Sequence, residues 1–229
     1  MTDTATPAPA EAVIFDHDGV LIDSVRSDFL ACSALFAEHG AELPAQVWAR
    51  EVCGRPDAYP RLFALLPDPG PGKHPELKQR LGRLWERYMT PEHIRLLPGA
   101  GELLARLRDE GLPVAVASAA DAAWVRRWLD HFRIAEYVDV VVGGDEVDGR
   151  KPDPAVYLEA AARLGVPPAR CVAFEDSLTG IRAAQAAGIT VTAVPTELTR
   201  SLDHSAADRV LPGLWAVGAE HLAPAVRTP

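Results

Sequence analysis

The chain has few cysteines, no cluster of basic residues and no apolar run at its start, and each absence excludes a class of protein. Its three cysteines, Cys32, Cys53 and Cys171, lie far apart and form no CxxC pair. An odd, scattered set of this kind argues against a disulfide framework or a zinc site. The net charge is −9 and no run of Lys or Arg stands out, so neither a nucleic acid nor an anionic membrane surface is an expected partner.

Residues 1–11 are rich in Ala, Thr and Pro and contain neither a basic cluster nor an apolar run. We expect a short flexible tail there, rather than a signal peptide or a membrane anchor, on a cytoplasmic protein. The whole chain has an ordinary globular composition, with 48% apolar and 24% charged residues. Its 229 residues correspond to one domain or two modest ones.

Short apolar stretches alternate with amphipathic stretches along most of the chain. The first, residues 12–15, contains two β-branched residues and ends at Asp16, which indicates a buried strand. Gly111, Gly165 and Gly188 each follow a helical pattern, where a residue with positive φ closes the helix. The other predicted strands are Pro113–Ala117, Val138–Val142, Cys171–Phe174 and Ile189–Val194, and the predicted helices are Gly101–Glu110, Ala122–Asp130, Ala155–Leu164 and Gly180–Ala187. This alternation predicts a parallel sheet covered by helices on both faces.

The segment from Asp23 to His93 interrupts that alternation. It has no strand pattern, and its apolar residues recur at helical spacings: Val25, Phe29, Cys32 and Phe36 in one stretch, and Leu77, Leu81, Leu84 and Met89 in another. A turn-rich stretch, Pro67–Gly72, separates the two. We therefore predict an α/β protein with a discontinuous Rossmann-like core, residues 12–23 and 94–229, and an inserted all-helical cap, residues 24–93.

Polar side chains fall at the carboxyl ends of the predicted strands, where ligands collect in an open parallel sheet. These are Asp16 and Asp18 after the first strand, Ser118 after the second, and Glu175 and Asp176 after a later one. Lys151 lies in a loop just before a helix. This topology brings all of these residues to one edge of the sheet.

Three aspartates at one edge need a compensating positive charge. Two carboxylates about 4 Å apart repel each other by about 4 kcal/mol at an effective dielectric constant near 20, which makes Asp16, Asp18 and Asp176 costly neighbours. Mg²⁺ relieves the repulsion, since it prefers carboxylate oxygens and water as ligands, and Lys151 adds a further positive charge. A cation and an ammonium beside an oxygen nucleophile suit a phosphoryl group. We therefore expect a small phosphorylated metabolite as the partner of this site.

Four short motifs, in this order, resemble those of the haloacid dehalogenase-like superfamily. They are FDHDGVLIDS at residues 15–24, AVAS at residues 115–118, KP at residues 151–152 and FEDSLTG at residues 174–180. The resemblance extends from about residue 12 to about residue 214. One motif alone would be weak, because DxDG also occurs in calcium loops, but a calcium-binding helix–loop–helix should not begin with a buried strand.

The resemblance implies a role for each matching residue. Asp16 would be the nucleophile and form an aspartyl-phosphate intermediate. Asp18 would protonate the leaving alcohol and then deprotonate the attacking water. Ser118 and Ala119 would bind the phosphoryl oxygens, while Lys151 would neutralise the charge shared by phosphate and nucleophile. The dehalogenases of the superfamily lack the second aspartate, so Asp18 favours phosphoryl transfer.

The resemblance also implies a Mg²⁺ site. The carboxylates of Asp16 and Asp176 and the backbone carbonyl of Asp18 would coordinate the ion. Glu175 would hold a water molecule bound to it.

The insertion resembles the small helical cap of the branch that contains β-phosphoglucomutase and many sugar-phosphate phosphatases. Such a cap excludes water and supplies specificity contacts, and Arg55 lies where the cap has its specificity loop. Three positions depart from the mutase: Asp28 replaces a cap histidine, Leu84 a cap lysine, and Asp121 a basic residue after the second motif. A mutase must bind a second phosphate, so this loss of positive charge favours hydrolysis.

We therefore predict a Mg²⁺-dependent phosphatase that hydrolyses small phosphomonoesters, sugar phosphates among them. Two alternatives stay open: a phosphoglucomutase-type isomerase, and a catalytically silent binding module that keeps the fold. Ser118 is also a candidate helix cap, Glu175 a structural residue and Arg55 an exposed charge on the cap. Alternation along the strand end predicts that His17 points away from the site. The sequence leaves the substrate and the oligomeric state open.

Overall fold

The computed structural model describes residues 9–67 and 73–225, which form an α/β core and a helical insertion. Most of the predicted tail, residues 1–8, lies outside the described residues, as do residues 68–72 of the turn-rich stretch. Ala10 is buried and donates its backbone N–H to the carbonyl oxygen of Leu222 at 2.8 Å. No helix in the two described ranges is long and apolar enough to cross a membrane.

The core is built on a parallel sheet, which confirms the predicted fold class. Its strands are β1 (Ala12–Phe15), β2 (Val114–Ala117), β3 (Val140–Val142), β4 (Cys171–Glu175), β5 (Thr190–Ala193) and β6 (Arg209–Val210). The helices are α1 (Ser24–Glu38), α2 (Ala45–Glu51), α3 (Ala58–Ala64), α4 (His74–Tyr88), α5 (Ala100–Asp109), α6 (Ala122–His131), α7 (Ala155–Leu164) and α8 (Leu178–Ala186).

The strand order places β1 at a topological switch point. The six strands are arranged as β3-β2-β1-β4-β5-β6, and every neighbouring pair is parallel. The chain builds the sheet outward from β1 on both sides, so crossovers leave β1 in opposite directions. A crevice forms at the carboxyl ends of the strands where this happens. The fold therefore opens its ligand site directly beyond β1.

Both faces of the sheet are buried, which explains why β1 is a continuous apolar run rather than an alternating one. Val13 and Phe15 face a cluster covered by α5 and α6, and Phe15 stacks on Phe174 with ring centroids 5.2 Å apart. Ala12 and Ile14 face the opposite cluster, which α7 and α8 cover. The central strand is thus fixed from both sides, and the residue that follows it is held rigidly.

Helices α1–α4 form the cap, with an apolar cluster of their own. Leu35 of α1, Trp48 of α2 and Leu81 of α4 are buried there, and Phe29 meets Trp48 edge to face at 5.4 Å between ring centroids. Each fully buried side chain of this size stabilises the packed state by about 1.5–3 kcal/mol. The predicted helical insertion is therefore confirmed as a packed unit rather than a loose excursion of the chain.

The predicted elements differ from the observed ones mainly at their ends. Strand β3 begins at Val140 rather than Val138, because residues 135–137 form a 3₁₀ turn just before it. Helix α8 begins two residues before its predicted start, since Ser177 caps it by accepting a hydrogen bond from the Gly180 N–H at 3.0 Å. Strand β6 is not predicted from the sequence, because two residues are too few to show a periodic pattern.

Candidate active site

Lys151 lies between two buried carboxylates at the carboxyl edge of the sheet. Its Nζ donates hydrogen bonds to Asp16 Oδ1 and Glu175 Oε1, both at 2.7 Å, and to the carbonyl oxygen of Ala117 at 3.0 Å. Asp16 follows β1, Glu175 ends β4, and Lys151 comes from the loop before α7. The switch point thus assembles residues that are more than a hundred positions apart, as the strand-end pattern predicts.

The environment of Asp16 leaves one of its carboxylate oxygens free. Burial raises the pKa of Asp16 to about 7, against the opposing charge of Lys151. Burial lowers the pKa of Lys151, but the charges of Asp16 and Glu175 outweigh it and raise the pKa above its ordinary value. Among the described residues no donor reaches Asp16 Oδ2, and Asp16 lines a cavity between the core and the cap. A fixed carboxylate with one free oxygen on a cavity is suited to nucleophilic attack.

Glu175 has both carboxylate oxygens occupied by protein donors. Besides Lys151, Oε1 accepts a hydrogen bond from Tyr157 Oη at 3.0 Å. Oε2 accepts from the backbone N–H groups of Asp176 and Ser177, at 3.0 and 2.9 Å, and from Ser177 Oγ at 3.0 Å. In this arrangement Glu175 holds Lys151 and the start of α8 in place. Its predicted contact with a metal-bound water stays a prediction.

Asp18 is held at the entrance of the site by donors from three elements. Oδ1 accepts hydrogen bonds from Ser24 Oγ at 2.5 Å and from Trp124 Nε1 at 3.1 Å, and Ser118 Oγ lies 3.5 Å from Oδ2. Burial alone would raise the pKa of Asp18, but the His17 ring, Ser24 and Trp124 lower it to about 2. In this conformation Asp18 is ionised, which is the form that accepts a proton.

His17 lies behind Asp18 and does not line the cavity. It is fully buried and is not among the residues that line the cavity. Its Nδ1 nevertheless lies 3.3 Å from Asp18 Oδ2. The side chain therefore supports Asp18 from behind and does not face the substrate space.

Ser118 and Ala119 lie at the end of β2. Ser118 is buried, and its Oγ accepts a hydrogen bond from the Ala120 N–H at 3.0 Å, which fixes the turn before α6. Ala119 lines the cavity, and no described residue accepts its backbone N–H. A free N–H on the cavity that Asp16 also lines is a potential donor to a phosphoryl oxygen. The hydrogen bond that fixes the turn is therefore compatible with the predicted phosphate contact.

The acidic side chains next to Asp16 fit a divalent cation. Carboxylate oxygens of Asp16, Glu175 and Asp176 lie within 4.8 Å of one another. Asp176 Oδ2 is buried, and none of the described residues donates to it, although buried polar atoms are almost always partnered. Burial and the charges of Glu175 and Asp16 raise the pKa of Asp176 well above its ordinary range. The residues present therefore have an oxygen that needs a positive partner.

Gly19 gives this cluster its space. Its φ is +89°, and a Cβ at this position would lie 2.4 Å from Asp176 Oδ2. A side chain there would be strained by the backbone conformation and would also fill the space beside the free oxygen. Glycine is thus required in the first motif by both the turn and the neighbouring aspartate.

A cavity of about 860 Å³ opens over these residues between the core and the cap. The core contributes Asp16, Asp18, Lys151 and Asp176, and helices α1–α4 form the opposite wall. Arg55 also lines this cavity, but its guanidinium donates to the carbonyl oxygen of Arg50 at 2.9 and 3.0 Å. In this conformation Arg55 is bound to the cap backbone, and its predicted substrate contact stays a prediction.

Several contacts of the site are not predicted from the sequence. Ser24 lies within the first motif, yet nothing in the pattern shows that it touches Asp18. Trp124 and Tyr157 lie in the first turns of α6 and α7, and each contacts a catalytic candidate through a side chain whose direction depends on the helix phase. The only available signal is their position immediately after the second and third motifs.

Comparison with known proteins agrees with this geometry. The family described as "Hydrolase: haloacid dehalogenase-like hydrolase" matches residues 10–188. YhcW of Bacillus subtilis (strain 168) is 36% identical over 194 residues, covering 84% of this chain and 86% of that protein. Hexitol phosphatase B of Escherichia coli (strain K12) is 33% identical, covering 83% and 86%.

Among solved structures, CbbY from Rhodobacter sphaeroides in complex with xylulose-(1,5)bisphosphate superposes with a TM-score of 0.72. It is 29% identical and covers 91% of this chain and 96% of that one. The family match spans the Asp16, Ser118, Lys151 and Asp176 motifs and the cap between them. The chain therefore belongs to the haloacid dehalogenase-like hydrolase family, and its insertion is a helical cap.

Proposed function

We propose that this enzyme is a Mg²⁺-dependent phosphatase that hydrolyses small phosphomonoesters, sugar phosphates among them, through an aspartyl-phosphate on Asp16. The observation that carries the proposal is the pairing of Asp16 Oδ1 with the Lys151 ammonium at 2.7 Å, which leaves Oδ2 free on the cavity. Sugar-type substrates are supported by two relatives: one is named a hexitol phosphatase, and a solved relative holds a sugar bisphosphate.

In the first half-reaction, Asp16 Oδ2 attacks phosphorus and the bond between phosphorus and the alcohol oxygen breaks. Lys151 keeps the Asp16 carboxylate oriented and balances part of the charge that the phosphoryl group brings into the site. The free N–H of Ala119 is placed to bind a phosphoryl oxygen. The leaving oxygen takes its proton from Asp18, whose carboxyl lies at the entrance of the site.

In the second half-reaction, water attacks the phosphorus of the aspartyl-phosphate and restores the Asp16 carboxylate. Asp18, now ionised, accepts the proton of that water. The donors Ser24 and Trp124 stabilise the ionised form, so they favour this half-reaction. To act as the acid in the first half, Asp18 must leave these donors and carry its proton into the cavity.

Asp16, Asp176 and the backbone carbonyl of Asp18 are the groups that would hold Mg²⁺. When bound, the ion would neutralise the carboxylates and the phosphoryl oxygens. The burial of Asp16 and Asp176 supports this assignment. Without a cation, their raised pKa values favour the protonated forms, which are poor nucleophiles and poor ligands.

Phosphate release from a panel of sugar phosphates and small phosphomonoesters, with Mg²⁺ and with EDTA, tests this proposal. We expect release that requires Mg²⁺ and falls by at least 1000-fold in Asp16→Asn, since covalent catalysis is lost. Asp57→Asn, which changes an exposed aspartate of the cap, should stay within twofold of the wild type.

The two alternatives predict different outcomes of the same panel. No release, together with isomerisation of glucose 1-phosphate in the presence of a bisphosphate activator, would show a mutase. No activity in either assay would favour a binding module. Asp28 in place of a cap histidine removes a positive charge that a second phosphate would require, which is why hydrolysis is preferred.

A further inference from the structure

The cap wall of the cavity is apolar apart from a few polar groups. Its apolar residues are Val25, Trp48, Val52, Leu62, Leu81 and Met89. Of the polar groups, Arg55 is bound to the backbone of the cap and Glu86 is exposed. Asp28 is different, because it is a carboxylate set among the apolar side chains. Pockets of this kind fix the orientation of a ligand through a small number of placed polar groups.

Only one oxygen of Asp28 is used by the protein. Asp28 Oδ1 accepts a hydrogen bond from Trp85 Nε1 at 2.6 Å and a weak one from Cys32 Sγ at 3.7 Å. Within residues 9–67 and 73–225 no donor reaches Oδ2. Burial raises the pKa of Asp28 to about 6, which shows that the carboxylate is costly where it lies. A costly carboxylate with one fixed oxygen and one free oxygen is placed for a ligand.

The position of Asp28 on α1 fits the leaving group rather than the phosphate. Ser24, Asp28 and Cys32 are spaced four residues apart, so they share one face of the helix, and all three line the cavity. Ser24 Oγ touches Asp18, the predicted acid. Asp28 lies about 6 Å farther along the helix, since each residue rises 1.5 Å. Asp28 is thus about one turn of α1 beyond the residue that contacts Asp18, on the same wall of the cavity.

Two aromatic side chains accompany this carboxylate. Trp85 and Tyr59 both line the cavity, with ring centroids 5.5 Å apart and their planes inclined by 54°. Both rings add apolar surface to the cavity wall, while a carboxylate accepts the hydrogen bond of a hydroxyl. A polyhydroxy leaving group has hydroxyl groups and apolar C–H groups. Asp28 could bind the former, and the apolar surface of Trp85 and Tyr59 could contact the latter.

We propose that Asp28 is a specificity-determining residue that accepts a hydrogen bond from a hydroxyl of the substrate's leaving group, with Trp85 holding the carboxylate in place. This inference rests on the proposed phosphatase activity and adds the part of the substrate that the cap recognises. A site built to hydrogen-bond a hydroxyl rejects an analogue that lacks it, because Asp28 Oδ2 would then have no hydrogen-bond partner.

Steady-state kinetics on wild type, Asp28→Asn and Glu76→Gln test the inference, with glucose 6-phosphate, sorbitol 6-phosphate and phenyl phosphate as probes. The readout is the kcat/KM of the better sugar phosphate divided by that of phenyl phosphate, which has no hydroxyl on its leaving group. In Asp28→Asn the amide can still accept the Trp85 hydrogen bond, but an NH₂ donor replaces the free acceptor. We expect the ratio to fall about 10- to 100-fold. Glu76→Gln, which changes an exposed carboxylate of α4 outside the cavity lining, should change it less than twofold.

Deoxy analogues of glucose 6-phosphate give a second readout on the wild type, which does not depend on the folding of a variant. One analogue should lose at least 10-fold in kcat/KM, and that difference should vanish in Asp28→Asn if the missing hydroxyl is the partner of Asp28. An unchanged ratio in Asp28→Asn, or a wild type that hydrolyses phenyl phosphate but neither sugar phosphate, overturns the inference while the phosphatase stands. No release from any probe contradicts the proposed function itself.

Discussion

Glu175 shows how one buried residue joins stability and chemistry in this site. It is fully buried, and it shares Lys151 with Asp16 at equal distances of 2.7 Å. Removing one carboxylate of such a set leaves the ammonium with one fewer buried partner, which is costly. The Lys151 side chain would then be held less firmly against the nucleophile.

We expect Glu175→Gln to lower the free energy of unfolding by about 2–4 kcal/mol and to lower kcat by at least 10-fold. Urea unfolding and phosphate release check the two effects. Glu159→Gln is the matched control, because Glu159 pairs with Arg163 on an exposed face of α7 and such pairs contribute about 0–1 kcal/mol. Equal losses of stability in both variants would contradict the account of Glu175.

The pKa of Asp28 gives a prediction for the dependence of stability on pH. Its pKa is about 6 in the folded protein against 3.8 for the ordinary group. A carboxyl with a raised pKa binds its proton more tightly when folded, so the folded state loses stability as pH rises from about 4 to about 6. The loss persists above pH 6.

Asp28→Asn removes this titration. We expect the variant to exceed the wild type in unfolding free energy by about 1–2 kcal/mol at pH 7, after allowance for solvent screening of a partly exposed group. The advantage should shrink toward zero at pH 4. Urea unfolding at the two pH values measures it, and a variant that is less stable at pH 7 would show that the ionised carboxylate is stabilising.

At the residue scale, the sequence predicts which side chains meet but not how each is held. Asp16 and Asp176 converge because the carboxyl ends of parallel strands meet at one edge of the sheet, and that rule needs only the strand pattern. Lys151 reaches Asp16 from the loop before α7. The direction of Trp124, Tyr157 and Asp28 depends on the rotation of a helix about its axis, which packing decides. Arg55 illustrates the same limit, since its guanidinium turns to a backbone carbonyl of its own cap.

At the scale of single elements, α8 begins so close to Glu175 that position 180 in its first turn has room only for glycine. A Cβ built on Gly180 would lie 1.6 Å from Glu175 Oε1. By contrast, a Cβ on Gly82, inside α4, would meet no other atom within 4 Å. Both glycines lie in helices, but position 180 excludes a side chain and position 82 has room for one.

We expect Gly180→Ala to displace Glu175 and to lower both kcat and stability, the latter by more than about 2 kcal/mol. Gly82→Ala should raise the free energy of unfolding by about 0.5–1 kcal/mol, because alanine is the better helix former. Thermal and urea unfolding of the two variants measure these shifts. If Gly180→Ala left kcat and the free energy of unfolding unchanged, Glu175 would not be fixed by the start of this helix.

At the scale of the whole molecule, the repeating β–α pattern is sufficient to predict the architecture. It does not predict elements as short as β6. Five apolar runs with intervening helices define a parallel sheet, and the interruption at Asp23 marks the insertion. Strand β6 pairs beside β5 through only two residues, so its existence depends on the sheet edge already being formed. The cap could be located from its helical spacings, but the cavity between cap and core depends on their packing.

At this scale, the fold presents Asp16 as a nucleophile on the cavity between the core and the cap. Trapping the covalent intermediate tests it most directly. Enzyme turning over a sugar phosphate with Mg²⁺ is quenched in acid and treated with borohydride, which reduces an aspartyl-phosphate to homoserine, and peptides are mapped by mass spectrometry. The account predicts homoserine at position 16, and none in enzyme treated without substrate. Steady phosphate release with no modified residue, or with the modification at a different residue, would contradict it.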